Sequence, residues 1–338
     1  MIKNINISIV GFGNIGEWVL SKICFEILNN NLPVSKIVCI EPNLNRLKSK
    51  ISDLIQSLLI LEPQYDKKSI CQIIDNLQLT NNFEQIKDSD YIITAYSVPM
   101  DMSIKNRSDL LFSNDLITQE IAFQISKFSP PHCRIINIAN PLDIITWRLQ
   151  HLSKLPVEQV IGISSQIDIA RLAQGIKEIS GFDYLAIDLS SLNILGEHGP
   201  SAVPILTQIK VNQRNIYELL EEEVIEKIKN YPIQKGTQMM EENQCIPPHI
   251  AVAQATVNCL KSWVSKSQTR MTLCCWNQVY QTYLGTEVYI SEAGIVPTSL
   301  LANLSQEEEM ALNFSAKAIT TQYLKLKERE VPKALLCI

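Results

Sequence analysis

The chain has 338 residues, 46% of them hydrophobic, and a formal net charge of -5 at pH 7. That length and apolar content support a sizeable core and, by size alone, about two domains of ~100–200 residues each. Acids and bases are interleaved, so no basic face offers itself to a polyanion, and nucleic acid is not an expected partner.

The chain starts "MIKNINISIV", an apolar run too short for a signal peptide or a membrane span, which predicts a cytoplasmic protein with no membrane partner. From there, short runs rich in Ile and Val alternate with longer helical patterns. Strands are predicted at "INISIV" (5–10), "KIVCIE" (36–41), "YIITA" (91–95) and "RIINIA" (134–139), each bounded by Gly, Pro, Asn or Asp. Such alternation predicts βαβ units and a parallel sheet. Between the third and fourth strands, Leu110, Asn114, Ile117, Ile121, Ile125 and Phe128 recur every three or four residues, so a helix should cover the sheet there, with one polar position in its stripe.

Beyond residue 150 the pattern loosens into helical "IDIARLAQGIKEIS", strand-like "LAIDLSSLNILG", acidic helical "NIYELLEEEVIEKI" and a last helix opened by a capping box, Ser305-x-x-Glu308. The domain boundary is therefore expected near 145–155. The nine cysteines are an odd number without C-x-x-C spacing, several in apolar contexts. They read as reduced core thiols, with neither a disulfide framework nor a metal site.

Gly11, Gly13 and Gly16 fall in G-x-G-x-x-G spacing between the first strand and the first helix. The first glycine makes the tight turn, the second lets the backbone approach a pyrophosphate, and the third lets helix and strand pack closely. An anion there meets the open N–H groups of a helix N-terminus. Glu41 ends the second strand about 25 residues beyond Gly16, near the ~20 of the dinucleotide fingerprint. A carboxylate at that place accepts hydrogen bonds from a ribose and repels a 2′-phosphate, which favours NAD over NADP. The alternative is a structural glycine turn followed by a solvent-facing Glu41, and Arg46 stands nearby.

Asp168 and Arg171 lie three apart on one face of an otherwise apolar helical stretch, a spacing that also suits a plain surface pair. Arg107 heads the helix after a polar loop, where a cation is unfavourable to the helix dipole and suggests a ligand. Asn140 ends the fourth strand at the carboxyl edge of the sheet, where open α/β folds bind ligands; it also suits a turn before proline. His198 follows a glutamate between glycines in "LGEHGPSAVP", whereas His132 and His151 look like surface residues and His249 could line a pocket.

Taken in order, "GFGNIG", "DSDYIITA", "RSDLLFSN", "IINIANPLDI", "VIGISSQIDIARLA" and "LGEHGPSAVP" make the chain resemble the NAD-dependent L-lactate/L-malate dehydrogenase family along almost its whole length. "YLGTEVYISEAGI" and "LSQEEEMALNFSAKAI" resemble that family's last hairpin and C-terminal helix. The resemblance implies an α/β fold, with an N-terminal Rossmann parallel sheet over residues 1–148 and an α/β substrate domain over 149–338. It implies NAD as cofactor, a small 2-oxo or 2-hydroxy carboxylate as substrate, and a homodimer or homotetramer. Residue by residue, it makes His198 the acid–base group, Asp168 its partner, Arg171 the clamp on the substrate carboxylate and Arg107 the polariser of its carbonyl. Asn140 becomes a neighbour of substrate and nicotinamide, and Gly11, Gly13, Gly16 and Glu41 match the cofactor positions.

The sequence departs from the family at the lid. Family members commonly read T-A-G-V-P-R-K-P-G-M-T-R there, whereas this chain has "TAYSVPMDMSIKNR" (94–107), two residues longer and without those glycines. With Pro99 in register, Met100 replaces the arginine that malate dehydrogenases use for a second carboxylate; a shifted register brings Lys105 there instead. An unpaired buried carboxylate is costly, so Met100 favours a 2-oxo acid with an uncharged side chain and a lactate-like reading. The alternatives are a malate dehydrogenase, an NAD-binding member without catalysis, and an NAD- and metal-dependent glycosidase. The last needs a metal-holding Cys where this chain has Ala139.

Overall fold

The computed structural model describes residues 4–98, 107–243, 248–291 and 294–328, with only the backbone of Arg107 and Ser291. Its first part follows the predicted alternation: β1 (Ile5–Val10), α1 (Asn14–Leu28), β2 (Val34–Ile40), α2 (Leu44–Ile60), α3 (Lys67–Asp75), β3 (Leu77–Thr80), β4 (Tyr91–Thr94), α4 (Arg107–Phe128), β5 (Arg134–Asn137), α5 (Leu142–Ser153) and β6 (Val160–Gly162). These strands pair in parallel in the order β3-β2-β1-β4-β5-β6. The order reverses between β1 and β4, and the crevice at the carboxyl ends of those two strands is where such sheets take a ligand. Because parallel strands are covered on both faces they are apolar throughout, and Ile7, Ile9, Ile92, Ile93, Ile135 and Ile136 are fully buried.

The second part holds α6 (Ser165–Ser180), β7 (Ile194–Gly196), β8 (Ala202–Pro204), β9 (Lys210–Val211), β10 (Arg214–Asn215), α7 (Glu222–Glu242), α8 (Ile250–Ser265), β11 (Thr269–Asn277), β12 (Thr282–Ser291), β13 (Gly294–Pro297) and α9 (Gln306–Glu328). Strand β11 joins β6 in antiparallel fashion and the long β11–β12 hairpin carries β7 and β8 beyond it, so a single sheet runs through both parts. One apolar core lies under α1, α2, α3 and α8, another under α4, α5 and α9, and a third between α6, α7 and the strands around β7.

The capping box forms as written: Glu308 accepts the Ser305 N–H at 2.9 Å, and the Ser305 hydroxyl accepts the Glu308 N–H at 3.2 Å. The strand-like run 185–196, by contrast, is mostly two single 3₁₀ turns, with only Ile194–Gly196 extended. Asp183 and Asp188 each accept a backbone N–H two residues on, at 3.0 Å, and this local bonding competes with a strand ladder. Seven of the cysteines lie among the described residues, none in a disulfide, and six are buried. Burial pushes the Cys24, Cys133 and Cys275 thiols up to about 12, as expected of unreactive core thiols. Among the described residues no helix is long and apolar enough to cross a membrane.

Candidate active site

The glycine turn between β1 and α1 is built for close approach. Gly11 has φ +95°, and a Cβ there would stand 2.6 Å from the Tyr96 backbone nitrogen. A Cβ on Gly16 would stand 2.1 Å from the Gly11 carbonyl oxygen, so α1 packs onto the turn with no room for a side chain. Gly13 differs: it is the N-cap of α1 without any side-chain cap, and a Cβ there would meet nothing within 4 Å. The mouth of the turn is therefore open, and the first N–H groups of α1 face into it. Glu41, just past β2, accepts the Phe12 N–H at 2.9 Å, which sets a carboxylate beside the turn. Arg46 is exposed on the first turn of α2. An open helix N-terminus for a pyrophosphate and a carboxylate for a ribose fit a dinucleotide.

The carboxyl ends of β4 and β5 continue this crevice. Asn140 is exposed, joined to Pro141 by a cis peptide bond, and its carbonyl accepts from the Asn114 side chain at 2.6 Å. Asn114 is fully buried and also accepts the Val98 N–H at 2.8 Å. The polar position in the α4 stripe thus ties the end of the β4 segment to the Asn140 turn. One residue on, Asp115 forms a buried ion pair with Arg148 of α5 at 2.8 Å. Arg107 is the first residue of α4, its side chain lying outside the described residues; Met100 and Lys105 also lie outside them.

His198 follows β7 and meets two carboxylates from different elements. Its Nδ1 is 2.7 Å from an Asp168 carboxylate oxygen, and its backbone N–H donates to Asp143 at 2.8 Å. Asp143 is itself only 1% exposed and lies in the first turn of α5. The other Asp168 oxygen accepts from Arg171 at 2.8 Å. The side chains of Asp168, Arg171 and His198 are 8%, 15% and 21% exposed, which removes the plain surface-pair reading of Asp168 and Arg171. Burial pushes the Asp168 carboxyl up, but the His198 ring, followed by Arg171, outweighs it and holds the carboxyl below the usual range. Glu197 turns the other way: its N–H donates to Ser315 Oγ at 2.7 Å and its carboxylate accepts from Ser201 at 2.6 Å. Gly196, at φ +83°, makes that turn possible, and a Cβ there would stand 2.5 Å from Ser315 Oγ.

The structure therefore brings His198, Asp168 and Arg171 into one cluster and places the glycine turn, Glu41 and Asn140 at the carboxyl edge of the parallel strands. Of the other histidines, His132 is 3.4 Å from Asp90, and the His249 ring is 6.0 Å from the Trp18 ring. Two polar residues at the site, Asn114 and Asp143, are not assigned to it by sequence, although Asn114 stands out as the polar position in the α4 stripe. Each left a signal: a polar residue on a buried helical face, and an acid three positions past the Asn-Pro turn.

The family model for the NAD binding domain of lactate/malate dehydrogenase matches residues 5–162, and that for the alpha/beta C-terminal domain of the same family matches residues 165–330. A malate dehydrogenase of Staphylococcus saprophyticus is 26% identical over 328 residues, covering 96% of this chain and 98% of that protein. A malate dehydrogenase of Chlorobium chlorochromatii is 26% identical over 318 residues, covering 93% and 96%. Among solved structures, a Cryptosporidium parvum lactate dehydrogenase complexed with lactic acid and nicotinamide adenine dinucleotide superposes with a TM-score of 0.81 at 22% identity, covering 98% of this chain and 100% of that one. A Plasmodium falciparum malate dehydrogenase in complex with NADH gives 0.79 at 21% identity, covering 96% and 99%. With both halves matched in order and a glycine turn that fits a dinucleotide, this chain belongs to the lactate/malate dehydrogenase family of NAD-dependent oxidoreductases.

Proposed function

We propose that the protein is an L-2-hydroxy acid dehydrogenase that interconverts a 2-hydroxy and a 2-oxo carboxylate, with an uncharged substrate side chain and hence a lactate-like preference. The observation that carries this reading is the 2.7 Å contact between His198 Nδ1 and Asp168, beside the Arg171 guanidinium. Bound NAD supplies the hydride acceptor, or as NADH the donor, at C2 of the substrate. Asp168 engages Nδ1 and so leaves Nε2 to face the substrate oxygen. In oxidation the neutral ring takes the hydroxyl proton at Nε2; in reduction the imidazolium returns it, stabilised by Asp168. An imidazole can both take and return a proton near neutral pH, so one ring serves both directions. Arg171 holds the substrate carboxylate through the planar fork of its guanidinium.

Arg107, at the head of α4, polarises the C2 oxygen where negative charge grows, and Asn140 contacts substrate and nicotinamide. Gly11, Gly13 and Gly16 seat the pyrophosphate, and Glu41 accepts from the ribose and disfavours NADP. With Pro99 in sequence register, Met100 replaces the arginine that would pair with a second carboxylate. The enzyme works in the cytoplasm as a homodimer or homotetramer, its two domains meeting near residue 148.

A second reading, malate dehydrogenase, is favoured by the names of its curated relatives. Steady-state NADH oxidation with pyruvate, 2-oxobutyrate and oxaloacetate separates the two. We expect kcat/KM for pyruvate or 2-oxobutyrate to exceed that for oxaloacetate by about tenfold or more, since a buried carboxylate without a partner costs well over the 1.4 kcal/mol that a factor of ten represents. A preference for oxaloacetate would replace the lactate-like reading with the malate one.

A further inference from the structure

Helices α6 and α7 pack against each other through two reciprocal contacts that each use a glycine. The ring of Tyr231, on α7, lies where a Cβ on Gly175 of α6 would be, 2.7 Å from its nearest atom. One turn earlier on α6, the guanidinium of Arg171 lies against α7 at Gly236. A Cβ on Gly236 would stand 2.9 Å from Arg171 Nη1 and 3.2 Å from its Cζ. The same Nη1 donates to Asp168 at 2.8 Å. Arg171 is thus held between a carboxylate on its own helix and the bare backbone of the next.

Glycine is a poor choice inside a helix, because it gives up more chain entropy than alanine and packs nothing. Position 236 lies well within α7, four residues beyond the buried Pro232, and Gly236 is itself only half-buried. Helix formation alone favours alanine there. The Arg171 contact supplies the missing reason: alanine would meet the far end of a flexible side chain, so the fold survives while the guanidinium is displaced.

We propose that Gly236 is a positioning residue that sets where the Arg171 guanidinium sits, and through it the affinity for every substrate sharing the 2-oxo carboxylate. This rests on the reading of Arg171 as the carboxylate clamp. A merely structural glycine and a side-chain-pocket wall make different forecasts. Loss of a structural glycine lowers thermal stability and cofactor binding together. A pocket wall acts selectively on substrates with longer side chains. Displacement of the clamp acts equally on all of them, since the carboxylate is common.

The test is Gly236→Ala, assayed as the NADH complex. We expect KM for pyruvate and for 2-oxobutyrate to rise by a similar factor, about tenfold or more, because a two-point hydrogen bond tolerates little misplacement. The value of kcat should stay within about threefold, the NADH Kd should be unchanged, and the melting temperature should be equal or higher. Oxamate, a carboxylate isostere of the substrate, should bind the variant's NADH complex at least tenfold more weakly by calorimetry, a readout that needs no turnover. Unchanged oxamate affinity, a selective effect on 2-oxobutyrate, or a fall in melting temperature with loss of NADH binding would each overturn the proposal. Wild-type protein that binds oxamate without turning over any 2-oxo acid would instead count against the dehydrogenase reading, and the oxamate comparison would still decide on Gly236. Wild-type protein whose NADH complex does not bind oxamate would overturn the clamp and this inference together.

Discussion

His198→Asn is expected to lower kcat by about 10²–10⁴, the usual contribution of a positioned acid–base group. Asparagine is smaller and can bond to Asp168, but it cannot accept a proton near neutral pH. The NADH Kd should stay within about twofold of wild type, because the turn that seats the cofactor lies at the ends of β1 and β2, whereas His198 follows β7. Stopped-flow absorbance at 340 nm and NADH fluorescence titration measure the two quantities separately. If activity survives the substitution, the proton passes through another group and the assignment of His198 is wrong.

Asp168→Asn should be nearly as severe, for a different reason. The ionised carboxylate accepts at Nδ1 and stabilises the imidazolium, whereas an amide can present its NH₂ there and turn the ring to the wrong tautomer. It also takes the charged acceptor away from Arg171, at present 2.8 Å distant. A kcat fall of about 10²–10⁴ is expected, accompanied by a higher KM because the clamp loosens. The substitution carries a stability signature as well. The Asp168 carboxyl is held below its usual range in the folded protein, so its contribution to stability is present above the ordinary carboxylate pKa near 4 and is lost as pH falls through the lower folded-state value. Urea midpoints at pH 7 should therefore favour wild type over Asp168→Asn, and the gap should close toward pH 3. A gap that widens on acidification would contradict the assigned charge state.

Much of this site could be read before the fold was known, because its parts are marked by local sequence. Strand-turn-helix geometry forces glycines at 11 and 16, and the Ile-rich runs of β1, β4 and β5 leave little choice of state. Among the parallel strands, Leu77–Thr80 alternates apolar and polar residues over only four positions and Val160–Gly162 has three residues, so neither carries the Ile-rich run that marks the others. The run 185–196 differs from its expected strand for a local reason: its apolar composition suits a strand, but Asp183 just before it and Asp188 within it cap 3₁₀ turns. Asp168 and Arg171 could be paired from their spacing, yet only the fold shows that they are buried and that the end of β7 delivers His198 to them. Asp143 illustrates the limit. Its backbone-directed bond to His198 depends on α5 meeting the turn after β7, which no local pattern encodes.

On the proposed mechanism a hydride moves between NAD and C2 of a 2-oxo acid while His198 moves the proton. Its most direct test is a reaction of the wild-type protein with NADH deuterated at C4, on both faces, and pyruvate or 2-oxobutyrate. Stoichiometric loss of absorbance at 340 nm is expected, with one deuterium at C2 of an L-2-hydroxy acid, read by NMR and chiral chromatography. NADH that binds yet is not consumed with any 2-oxo acid, or a product without deuterium at C2, would contradict it.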